Sequence, residues 1–184
     1  MNKLSLEEIR SRFESSKEFN EIFDAFEHAI GQHVDDIELY KVLFWNQTLT
    51  PNELCLFGEK LAKELPGLAY SVYMWLANVF EVTYSTYDNH ELAFAYFQKA
   101  AGALPASPDP YLEAAACHET DLNIPPLSAL IDFLRTGSEL VKDPVPFYEK
   151  LIHCYELSNN DEMTSYYRRK LRERSSSSER PPEQ

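Results

Sequence analysis

The stretch Ala93-Phe94-Ala95-Tyr96-Phe97-Gln98-Lys99-Ala100-Ala101-Gly102-Ala103-Leu104-Pro105 decides the fold. Its marked positions are Ala93, Phe97, Ala100 and Pro105, spaced by four, three and five residues. Steps of three and four put residues on one face of a helix, and a proline just beyond the end stops it. The same spacing falls upstream on Leu54, Gly58, Leu61 and Pro66, and before that on Ile22, Phe26, Ala29 and Val34. Downstream it falls on Ala129, Phe133, Thr136 and Val141, then on Met163, Tyr167 and Lys170. The starts lie 32, 39, 36 and 34 residues apart, which leaves room for two helices per unit. A period near 34 with two helices is the mark of a helical-repeat array.

Local signals place the helices. Ser5 with Glu8 forms a capping box that opens the first, and a second is predicted over about 18–31. Pairs then follow at about 36–48 with 51–65, 69–83 with 89–103, 109–120 with 126–141, and 145–157 with 160–173. Thr50-Pro51-Asn52-Glu53 supplies a cap, a proline at the first turn and a box glutamate. Asp109-Pro110 and Pro125-Pro126 mark helix starts by the same logic. No segment alternates with the two-residue period of a strand, so an all-α domain is expected over 1–171. From Arg172 the chain reads RERSSSSERPPEQ, without an apolar residue, and 172–184 is expected to be a disordered polar tail.

Composition narrows the function. The net charge of −13 opposes docking on nucleic acid or on anionic lipid, both of which need a basic surface. Neither a signal peptide nor an apolar run of membrane-spanning length is evident. Cys55, Cys117 and Cys154 are odd in number and far apart, which reads as free-thiol usage and predicts a cytoplasmic protein.

The paired pattern resembles the tetratricopeptide-repeat family, whose first helices carry an aromatic, a large apolar, a small residue and a second aromatic. Here the third pair supplies Tyr73, Leu76, Ala77 and Phe80, followed by Ala93, Phe97, Ala100 and Pro105. Tyr111, Ala114, Ala115 and His118 follow it in the fourth pair, Tyr40, Leu43 and Phe44 in the second, and Phe147, Leu151 and Cys154 in the fifth. Gly58 and Lys150 depart from it, standing where an aromatic and an apolar residue are usual. The resemblance spans roughly 20–170 and implies a right-handed superhelical array of about five antiparallel helix pairs. It also implies a non-enzymatic protein-interaction module that holds a peptide or helix in a concave groove.

If each signature aromatic faces its partner helix, the opposite face of the first helices lines that groove. The candidate peptide-binding residues are Lys41, Trp45, Met74, Trp75 and Asn78, then Glu113, Glu119, Tyr148, Glu149 and Tyr155. Thr48 and Leu49 extend the same inferred face. Both tryptophans of the chain fall on it. Such rings anchor interfaces, and glutamates among them select cations, so the expected partner is a basic or neutral protein segment with an apolar anchor. The family's receptors for acidic chaperone tails use a clamp of Lys, Arg and Asn. Only Lys41 and Asn78 fit it here, and Glu113 opposes it.

Two other functions compete. One is a chaperone-like holder of a secreted or membrane client. The other is a metal protein or enzyme built on Cys117-His118 and His153-Cys154. Adjacent helical residues diverge by about 100°, so neither dipeptide aims both donors at one metal. No metal, cofactor or catalytic residue is assigned.

Overall fold

The computed structural model describes the backbone of residues 3–83 and 87–178, with side chains over 3–83 and 89–174. Ten α-helices occupy those residues: α1 (Leu6–Ser15), α2 (Phe19–Gly31), α3 (Ile37–Phe44), α4 (Pro51–Glu64), α5 (Ala69–Thr83), α6 (Tyr87–Ala103), α7 (Asp109–Ala116), α8 (Leu127–Leu140), α9 (Val145–Leu157) and α10 (Asp161–Ser178). A 3-10 turn at Pro66–Leu68 leads into α5. Among the described residues there is no strand, only an isolated bridge between Glu119 and Ile124. None of these helices is long and apolar enough to cross a membrane.

Both expected capping boxes form. Ser5 and Glu8 exchange side-chain and backbone hydrogen bonds at the start of α1, and Thr50 and Glu53 do so at α4. At the far ends of α2 and α9 the chain turns through a left-handed residue, His33 (φ 52°) and Asn159 (φ 54°). The amide after each donates back to the carbonyl five residues earlier, Val34 to Ala29 and Asn160 to Tyr155, which satisfies a terminal helix acceptor.

The chain divides into two compact units, Met1–Ala103 and Leu104–Gln184, where a single domain over 1–171 is the sequence expectation. In the first unit α1 packs on α2 and α3, α3 and α4 pack on α5, and α5 packs on α6. Its core centres on Phe26, fully buried, whose ring meets Phe57 at 4.8 Å and Tyr40 at 6.2 Å. Ala93, Phe97 and Ala100 are all buried, as their spacing requires. Gly58 explains its own departure from the pattern. A Cβ there would lie 2.2 Å from Leu76 Cδ1, so the bare backbone lets α5 close on α4, and neighbouring Phe57 supplies the buried ring.

In the second unit α7 packs on α8 and α9, α8 on α9, and α9 on α10. Here the register of α8 is one residue off the sequence reading. Leu130, Leu134 and Gly137 are buried, whereas Thr136 is exposed and donates its hydroxyl to the Asp132 carbonyl. The cause is Gly137, whose missing side chain leaves space for the rings of Tyr111 and Phe147. On α9 Lys150 is exposed and Leu151 takes the buried place beside it.

One hydrogen bond recurs in both units. The Tyr40 hydroxyl donates to the Val34 carbonyl at 2.8 Å, and the Tyr111 hydroxyl donates to the Pro105 carbonyl at 3.2 Å. Val34 and Pro105 are the closing positions of the four-three-five spacing, so each tyrosine ties its helix to the segment that leads into it. Burial holds both phenols above their ordinary pKa, helped at Tyr40 by the Asp35 carboxylate.

Two first helices are shorter than expected. α3 stops at Phe44 because Asn46 is recruited elsewhere: its Nδ2 donates to the carbonyls of Phe13 (2.9 Å) and Ser16 (3.0 Å). Its Oδ1 accepts from the Thr48 amide and hydroxyl. Replacing Asn46 by Ala leaves two carbonyls without this donor and is expected to cost about 1–2 kcal/mol, read from the urea midpoint. A change below a few tenths of a kcal/mol would show that water replaces the amide. α7 stops at Ala116, and 117–126 form a loop in which Glu119 and Ile124 exchange backbone hydrogen bonds. At the end of the chain α10 is helical through Ser178, beyond the expected boundary at 172, and 179–184 lie outside the described residues. The arginine-rich run over 168–174 is rich in good helix formers and keeps the helix going without an apolar face.

Candidate functional site

On the first unit, α1, α3 and α5 enclose an open cleft of about 530 Å³. α1 supplies Arg10 and Glu14, α3 supplies Glu38, Lys41 and Val42, and Trp45 and Asn46 follow at its C-terminal end. Trp75 comes from α5. The spacing 38, 41, 42, 45 lays three α3 side chains and that of its C-cap, Trp45, along one face, while Leu39, Tyr40, Leu43 and Phe44 take the other into the core.

The two indoles meet across the cleft with ring centroids 6.4 Å apart at 52°. Trp45 is 49% exposed, a large apolar area for an ordered ring beside a cleft. Trp75 is half-buried, and its Nε1 is shielded from solvent without a hydrogen-bond partner. Lys41 joins them: its Nζ sits 4.7 Å from the Trp75 ring centroid and donates to Glu38 Oε1 at 2.7 Å.

Three of the ten expected residues, Lys41, Trp45 and Trp75, are therefore brought together. Arg10, Glu14, Glu38 and Asn46 also line the cleft and are not among the expected residues. A face counted onward from each signature aromatic leaves out α1 and the turn of α3 before Tyr40. The lining carries two basic and two acidic side chains beside the two indoles. Met74 and Asn78 are half-buried on α5, outside the cleft lining. Thr48 and Leu49 leave the inferred face because α3 ends early, and Leu49 is buried.

The remaining candidates belong to the second unit. Glu113 is half-buried on α7, and Glu119 leaves the helix for the following loop. Glu149 is exposed on α9. Tyr148 and Tyr155, open anchors on the sequence expectation, are both buried because α10 covers them. Each ring lies 5.7 Å from that of Tyr167, and Lys170 Nζ stands 5.6 Å over Tyr148. The sequence signal for this existed in the Tyr166-Tyr167 pair, whose second ring falls on the inner face of α10.

The cysteine and histidine pairs go to separate duties. Cys117 Sγ donates to the Glu113 carbonyl, and His118 Nδ1 stands 3.0 Å from the Pro125 carbonyl oxygen. Cys154 is buried, and burial pushes its thiol up to about 11 against the smaller opposing effect of the Lys150 ammonium. His153, beside it, is exposed. Among the described residues no three His, Cys, Asp or Glu side chains converge as a metal site. Compared with known protein families, with curated proteins and with solved structures, the chain matches none of them.

Proposed function

We propose that this protein is a non-enzymatic interaction module whose helix pairs pack in the tetratricopeptide manner and whose α1–α3–α5 cleft takes a peptide or helix of a protein partner. The observation that carries this reading is Trp45, half exposed beside a second indole at an open cleft. An ordered tryptophan left in water forgoes roughly 2 kcal/mol of burial, an arrangement that becomes favourable when a partner covers it. The packing inside each unit supports the repeat reading, because alternate helices adjoin one another, α1 with α3, α3 with α5, and α7 with α9. The three free thiols suit a reducing compartment such as the cytoplasm.

Trp45→Ala tests the reading with little risk to the fold, since half of that side chain is already exposed. A partner recovered with the wild-type protein should bind this variant about 30-fold more weakly, a loss of roughly 2 kcal/mol. Isothermal titration of the purified pair measures it, with circular dichroism as the folding control. Equal affinity for the two proteins would place the binding surface elsewhere.

A further inference from the structure

One ring of the cleft already carries a cation, and that cation is the protein's own. Lys41 extends from α3 to place its ammonium over the ring of Trp75 on α5, although Glu38, three residues earlier on its own helix, would suffice as a partner in water. The face of an indole attracts cations through its quadrupole, and the attraction grows when solvent is excluded. Trp45 forms a second ring wall, and Glu14 and Glu38 belong to the same lining. Ring walls with carboxylates beside them are the composition that recognises ammonium and guanidinium groups.

We infer that the Trp45–Trp75 cleft is a cation slot in which Lys41 stands in for a basic side chain, lysine, methylated lysine or arginine, of the partner segment. This rests on the interaction-module reading and names the chemistry of the anchor. The charge balance of the lining supports it. With Lys41 in place, two basic residues face two carboxylates. If Lys41 swings out to solvent, Arg10 alone opposes Glu14 and Glu38, and an incoming cation restores neutrality. An incoming carboxylate would not.

Lys41 also sets a threshold. A tethered group competes at an effective concentration on the order of millimolar, so a lone small cation displaces it poorly. A segment that brings a cation together with an apolar residue against Val42 and Trp45 gains a second contact and overcomes that competition. The slot therefore discriminates for the pair of features over either one.

Both tryptophans of the chain line this cleft, so intrinsic fluorescence reports on it without a label. The experiment titrates wild type and Lys41→Met with tetramethylammonium chloride. Sodium chloride at equal ionic strength and 2,2-dimethylpropan-1-ol, a neutral compound of similar shape, are the controls. Lys41→Gln replaces Lys41→Met if circular dichroism shows that methionine disturbs the helices. The expected result is a fluorescence change in the opened variant at a tenfold or more lower concentration than in wild type. Sodium should have no effect, the alcohol should be at least tenfold weaker, and Trp75→Ala should remove the response.

Equal midpoints for wild type and the opened variant would overturn the inference. So would an alcohol as effective as the ammonium ion, or no response at all. The two readings fail separately. If Trp45→Ala weakens the partner but the opened slot ignores ammonium, the cleft binds through apolar contact and only the cation inference falls. If the slot takes ammonium but Trp45→Ala binds the partner normally, the slot stands and the interaction reading falls.

Discussion

Phe26→Ala is expected to destabilise the first unit by about 3–5 kcal/mol, the usual cost of removing a fully buried phenylalanine. The residue is 0% exposed and sits edge-on to Phe57 and Tyr40, at 4.8 and 6.2 Å. Those rings come from α2, α3 and α4, so the cavity opens where three helices meet and no single side chain can fill it. The tether from the Tyr40 hydroxyl to Val34 holds that ring in place and further limits relaxation. Tryptophan fluorescence during urea unfolding reads this unit directly, because Trp45 and Trp75 both lie in it. A loss smaller than about 1 kcal/mol would mean that the core collapses around the missing ring.

Gly137→Val should cost the second unit about 3 kcal/mol or more, by overpacking rather than by a cavity. Even the first added carbon would lie 2.5 Å from Phe147 Cε1 and 2.6 Å from Tyr111 Cγ. Both are ring atoms of fully or nearly fully buried side chains and cannot swing aside. Valine adds two methyl groups to that overlap. Gly58→Ala is the informative contrast, although its nearest contact is closer. The obstacle there is Leu76 Cδ1, the far end of a flexible side chain, and alanine gains roughly 1 kcal/mol of helix propensity over glycine. The net change at Gly58 should stay within about 1 kcal/mol. Reactivity of the buried Cys154 thiol under native conditions follows the second unit: it should rise in Gly137→Val and stay low in Gly58→Ala. If Gly137→Val melts with wild type and leaves Cys154 protected, the rings are less fixed than their burial implies.

How far the sequence reaches is clearest at particular residues. The helices and most of their boundaries follow from local chemistry: the boxes at Ser5 and Thr50, the prolines at first turns, and the recurring four-three-five spacing. Such signals act over one or two turns, so a chain reading can see them. The closing positions of that spacing even locate the carbonyls that Tyr40 and Tyr111 bond. Trp45, Trp75 and Lys41 were legible as one face because the 3.6-residue period, once a helix is known, sorts side chains into inside and outside.

What the tertiary structure decided is which faces stay open and where helices stop. Asn46 ends α3 because carbonyls of Phe13 and Ser16, some thirty residues away, come within its reach. Tyr148 and Tyr155 became core because α10 lies across α9, and burial of three tyrosine rings outweighs anything their own helix specifies. The one-residue shift in α8 has the same origin, since Gly137 reads as a weak helix residue until two rings from α7 and α9 need its space. Arg10 and Glu14 joined the cleft only when α1 packed beside α3. Local spacing determines what each helix offers on each side, and contacts between residues distant in sequence determine which side is covered.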